Sequence, residues 1–174
     1  MSRSRARITS LLLLAPLAAA MPSTAGATLS LTTSASPTFS GNLDLGDQTP
    51  AYTAALTARD TSTGASPGWH LTITSTQFTT SGGTPHTLSS TASRVTSVSN
   101  ACSGICVNPV NSVSYPVAVP AGTPLPTAVK FYEAAANTGQ GTFTITPTVG
   151  VTVPQNSYAG VYTSTLTLAI AAGP

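Results

Sequence analysis

The side chains able to move a proton near neutral pH are His70 and His86 and the carboxylates Asp44, Asp47, Asp60 and Glu133; Cys102 and Cys106 add a thiol pair. A hydrolase using nucleophilic catalysis needs a nucleophile, a base within hydrogen-bond reach and a group that orients the base. His70 lies in an alternating apolar and polar run, and His86 ends the turn Gly82-Gly83-Thr84-Pro85-His86, so both read as solvent-facing polar residues. The many serines lack the Gly-x-Ser-x-Gly setting that exposes a nucleophile on a strand-to-helix turn. A glycosidase pair holds its two carboxyl groups within ~5 to 10 Å. Of the possible members, Asp44 and Asp47 bracket a glycine turn and Asp60 ends a strand, places where a carboxylate accepts local backbone hydrogen bonds. Calcium asks for six or more oxygens, more than this acidic density supplies. The expectation is no catalytic residue, no metal and no cofactor.

The two cysteines stand four apart in Asn100-Ala101-Cys102-Ser103-Gly104-Ile105-Cys106. Zinc wants four ligands and this segment supplies two, with both histidines distant in sequence, so metal binding is the weaker alternative. In an exported chain the pair reads as a local disulfide, with Gly104 allowing the reversal. Export is what the amino terminus predicts. Arg3, Arg5 and Arg7 form a basic region, Leu11 to Leu17 an apolar stretch, and Ala25-Gly26-Ala27 a small-residue cleavage site, which together make residues 1–27 a secretory leader. The apolar stretch is broken by Pro16 and falls short of the roughly 20 residues a spanning helix needs. No later segment reaches that length, so the mature chain is expected to carry no transmembrane segment.

Removing the leader takes half of the six basic residues with it and leaves Arg59, Arg94 and Lys130 against four carboxylates. Three scattered cations cannot make the clustered basic face that phosphate neutralisation requires, which excludes nucleic acid as a partner. Residues 28–174 suit a single domain. Only 6% of the chain is charged while 41% is hydrophobic, which favours a folded body over disorder.

Period-2 runs bounded by turn residues give about nine candidate strands and no helical repeat. They begin with Leu29 and Leu31, then Phe39–Leu45, Ala51–Ala58, Trp69–Phe78 and Leu88–Val98. Val113–Val119, Ala128–Glu133, Thr142–Val153 and Val161–Ile170 complete them. Trp69, Leu71 and Ile73 share one side of their strand, as do Leu166, Leu168 and Ile170 on the last. Two such sheets close on each other, which predicts an all-β, immunoglobulin-like antiparallel β-sandwich with Trp69 in its core or at the core edge. A closed barrel is the alternative. Prolines 116, 120, 124, 126, 147 and 154 are expected at edges, bulges or connections, because proline lacks a ladder donor.

The order of motifs resembles the WxL family of bacterial cell-surface domains across residues 28–174. Asn42-Leu43-Asp44-Leu45-Gly46 stands where that family has an early turn, Arg59-Asp60 precedes the first motif, and Trp69-His70-Leu71 matches it. Tyr158-Ala159-Gly160 followed by Tyr162 to Ile170 is similar to the terminal strand. There the second tryptophan is missing, and its position falls at Leu168-Ala169-Ile170.

The resemblance implies noncovalent attachment to peptidoglycan or to other WxL-like surface proteins, at the bacterial cell surface or wall, with Trp69, His70, Leu71 and Leu168 as contact residues. Leu168 cannot stack on a sugar or offer an indole donor, so the second contact is weakened. A pilin-like or coat-like subunit assembling through strand edges is the competing expectation. An enzyme is the third class, and it lacks a constellation.

Overall fold

Alternation of apolar and polar residues turns nearly every strand of this chain into a two-sided ribbon, and the apolar sides meet in one core. The computed structural model describes residues 7–16 as backbone, and residues 28–33 and 36–174 in full. The strands are β1 (Arg7–Pro16), β2 (Leu29–Thr33), β3 (Thr38–Asn42), β4 (Ala51–Thr53), β5 (Leu56–Asp60), β6 (Trp69–Ser75), β7 (Thr79–Thr80), β8 (Ser93–Ser103), β9 (Val117–Ala118), β10 (Val129–Ala134), β11 (Gly141–Val151) and β12 (Val161–Ala172). One 3-10 turn, Leu43–Leu45, follows β3.

The strands form two six-stranded sheets packed face to face, the β-sandwich that the alternation predicts. The first runs β10-β6-β12-β1-β3, with β7 also on β12; the second runs β2-β5-β11-β8-β9, with β4 also on β11. Neighbours pair antiparallel throughout, except that β1 runs parallel to β12. Trp69, Leu71 and Ile73 of β6 and Tyr162, Leu166 and Leu168 of β12 face Leu56, Phe143, Ile145, Val149 and Val95 of the second sheet, all buried. Phe39, Tyr52 and Phe78 close one end, Phe39 stacked on Tyr52 and edge-on to Phe78.

The departures from the expected strands have local causes. Phe39–Leu45 stops at Asn42, because the Asn42 carboxamide accepts the Asp44 N–H and turns the chain into the 3-10 turn. Ala51–Ala58 splits into β4 and β5 around Ala54, whose N–H reaches the Pro147 carbonyl. Pro147 itself lies inside β11, opposite Val98 of β8, and is buried. A residue's N–H and C=O point to the same side of a strand, so the donor that proline lacks faces the break between β4 and β5. Leu88–Val98 begins its ladder only at Ser93, after a turn closed by Ala92 N–H to Ser89 O, and then continues to Ser103 against β11.

The leader reading covers residues 1–27. Arg3, Arg5, Leu17 and the Ala25-Gly26-Ala27 site lie outside the described residues, whereas Arg7–Pro16 is β1, an inner strand of the first sheet.

Candidate functional site

The residues of the Trp-x-Leu motif sit where β6 starts, held from both sides by glycine. Trp69 is 1% exposed, its Nε1–H donates to the Gly139 carbonyl at 3.0 Å, and its ring lies 5.9 Å from that of Tyr132. Gly139 has φ +79, and a Cβ there would stand 2.6 Å from the indole nitrogen; at Gly68, with φ +76, it would stand 2.2 Å from the Ala134 carbonyl oxygen. Both positions therefore demand glycine twice over, for the backbone angle and for the space. The indole is seated as a core residue with its one polar atom satisfied.

Leu71 is fully buried and opposite Ile170, and Leu168 is buried opposite Ile73. The fold thus brings Trp69, Leu71 and Leu168 into one apolar layer between the sheets. His70 points the other way, half-buried, and its Nδ1–H donates to the Gly173 carbonyl at 2.6 Å, which ties down the end of β12. Of the four residues, His70 alone reaches solvent, beside Thr72 on the outer face of the first sheet.

Asp60 is taken up within its own turn, whereas Asp47 reaches a distant segment at Gln155. Asp47 accepts the Gln155 N–H at 2.8 Å, and Asp60 accepts the Ser62 N–H at 2.8 Å and the Ser66 hydroxyl at 3.3 Å. His86 stacks on Tyr158 with ring centroids 3.5 Å apart. Cys102 and Cys106 form the expected disulfide. Its loop carries Ile105, 99% exposed, with Val107 and Val110 exposed beside it. Among the described residues no group of three or more His, Cys, Asp or Glu is placed to hold a metal ion, and no helix is long and apolar enough to cross a membrane.

Sequence reading missed the best-built polar cluster, around Glu133. This carboxylate is 5% exposed and accepts the Lys130 ammonium on one oxygen and the Ser112 hydroxyl and N–H on the other. The Lys130 and Ser112 hydrogen bonds hold its pKa below the ordinary carboxylate value. Asn111 receives the Glu133 N–H at 3.1 Å and donates to the Tyr115 hydroxyl, which donates to the Phe131 carbonyl at 2.8 Å. These bonds dock the long segment before β9 onto β10. Residues three apart on a regular strand face opposite ways, so Lys130 and Glu133 should not meet. A bulge between Lys130 and Tyr132 shifts the register by one and brings them together.

No family model, no curated protein and no solved structure matches this chain.

Proposed function

We propose that this is an exported, non-enzymatic surface protein that works by noncovalent association, with a surface partner protein or with peptidoglycan of a bacterial cell wall. One observation carries the reading. The segment Arg7–Pro16, whose composition is that of a secretory leader, fills an inner strand position between β12 and β3. Cleavage after Ala27 takes that strand away and leaves two facing rows of backbone donors and acceptors without their partner. A strand row in that condition is a template for another chain.

The order of motifs makes a divergent WxL-like domain of immunoglobulin-like type the family proposal. With Trp69, Leu71 and Leu168 in the core, wall contact falls to His70 and Thr72 on the outer face, whose neighbours across β12 are Ala171 and Ala169. Asp47, Asp60 and Glu133 accept hydrogen bonds from the chain itself, which suits a binding or structural role. The test is to express the full-length chain in a secreting bacterium, sequence the amino terminus of the exported product, and measure its mass in solution and its co-sedimentation with purified peptidoglycan. The reading expects a product beginning at Thr28 that either self-associates or sediments with the wall. A product that stays monomeric and free of the wall at high concentration overturns it.

A further inference from the structure

The strand that β1 occupies has two ladders of unequal length. Along β12 it covers eight rows, Thr9 opposite Val161 through Pro16 opposite Leu168. Along β3 it covers five, Arg7 opposite Asn42 through Leu11 opposite Thr38. Only the rows of Thr9, Ser10 and Leu11 have a neighbour on both sides. Removing β1 opens a gap about two strand spacings wide, roughly 9.5 Å, in the middle of the sheet. It also bares β12 from Ser164 to Leu168, where β3 does not reach.

Two rearrangements within one copy address only part of this. If β3 slides across onto β12, Phe39 comes opposite Tyr162 and three rows are satisfied. Phe39 then leaves its places on Tyr52 and Phe78, and Ser164–Leu168 stay bare. If β2 leaves the second sheet to form a hairpin with β3, it is confined to the rows alongside β3. Thr33 precedes β3 by only a short connection, so the chain turns back before Ser164. Neither closes the β12 edge.

We propose that in the mature protein this slot is filled by the amino-terminal strand of a second copy, Thr28–Thr33, laid between β12 and β3. The inference rests on the proposed export and cleavage. β2 is the segment suited to the exchange. Among the described residues its ladder is with β5, at the end of the second sheet, and it already packs across from β12. Laid over the Leu11 to Pro16 rows of another copy, Thr28–Thr33 pairs with β12 from Thr163 to Leu168 and meets β3 at Thr38. Its alternation, Leu29 and Leu31 against Ser30 and Thr32, fits a slot whose flanking strands turn Phe39, Tyr162, Leu166 and Leu168 inward. The edge it vacates, β5, carries the exposed Arg59, a residue type that tolerates a free edge. Exchange of one identical element between copies closes into a dimer when reciprocal and grows into a filament when passed head to tail.

The experiment uses the exported product of the full-length chain. Light scattering on a sizing column should give dimers or longer multimers, and hydrogen exchange should show the amides of Ser164, Leu166 and Leu168 protected, since Thr165 and Thr167 turn toward β6. Leu29→Asp combined with Leu31→Asp should give monomers with those three amides unprotected. A synthetic peptide of residues 28–37, added to the monomeric variant, should restore protection there. Because the double variant alters β2 itself, the peptide arm is also run on wild type, where excess peptide should disperse the multimers. A monomeric wild type with the Ser164, Leu166 and Leu168 amides protected means closure within one copy and overturns the proposal. Multimers that survive both the variant and the peptide overturn the choice of donor while leaving surface association standing. An amino terminus that still contains residues 7–16 overturns both, since the slot then never opens.

Discussion

Trp69 shows how far a single residue can be read from its neighbours. Its place on a strand with Leu71 and Ile73 announced a core position; that Gly139 would take its indole proton from the far side of Thr138 did not follow from any local pattern. Trp69→Ala removes a buried indole and orphans the Gly139 carbonyl, so we expect a loss of about 3–5 kcal/mol in urea unfolding. Fluorescence is lost with the sole tryptophan, so far-ultraviolet circular dichroism is the readout. If that variant keeps wild-type stability, the indole is not the core anchor described above. Glu133 supports a pH prediction. Its folded pKa lies below the ordinary value of 4.5, so its contribution is complete above that value and is lost as pH falls through the folded pKa. Stability measured from neutral pH downward should therefore fall below about pH 4.5, and Glu133→Gln should flatten that part of the profile while lowering stability at pH 7. The sequence offered no sign of this cluster, because the bulge that lets Lys130 reach Glu133 is a property of how β10 meets β6.

At the scale of elements, strands whose two faces differ were legible and strands held by side chains were not. β6, β11 and β12 fall close to where alternation places them. Val113–Val119 shrinks to the two residues of β9, because the chain before it is docked by Asn111, Ser112 and Tyr115. The disulfide was legible from the spacing of the cysteines and the loop formers around them, and its loop is short. A loop this small constrains the unfolded chain by about 2 kcal/mol. Cys102→Ser with Cys106→Ser should therefore lower the melting temperature by roughly 4–8 °C and leave the sheets intact by circular dichroism. A collapse of the fold on reduction would show that the loop organises β8 and β11 rather than trimming them. Pro147 was expected at an edge, a bulge or a connection; it sits in an inner strand, beside the register shift of β11 against β8 at Thr148 and Val149, and the packing of β4 and β5 as separate pieces makes a place for it.

The whole molecule is a body with few charges and several buried phenols. Burial raises the pKa of Tyr52, Tyr115, Tyr132 and Tyr162 above the ordinary 10.0, that of Tyr132 to about 12. A raised folded pKa means that stability is complete below about pH 10 and is lost as pH climbs toward the folded values. Alkaline titration should show part of the phenolate absorbance appearing together with unfolding; smooth ionisation of all the tyrosines in a folded protein would count against the packing of Tyr52 and Tyr132. By itself the sequence determined the all-β class, the shared face of Trp69, Leu71 and Ile73 and of Leu166, Leu168 and Ile170, and the bridging of Cys102 to Cys106. Each of these follows from a periodicity of two or from neighbours within a few positions. Tertiary structure decided which strands lie side by side, since pairings such as β6 with β12 join segments nearly a hundred residues apart that carry the same alternation as many others. It also decided that Arg7–Pro16, leader-like in composition, completes the sheet between β12 and β3, because a free strand row attracts whatever extended chain can reach it.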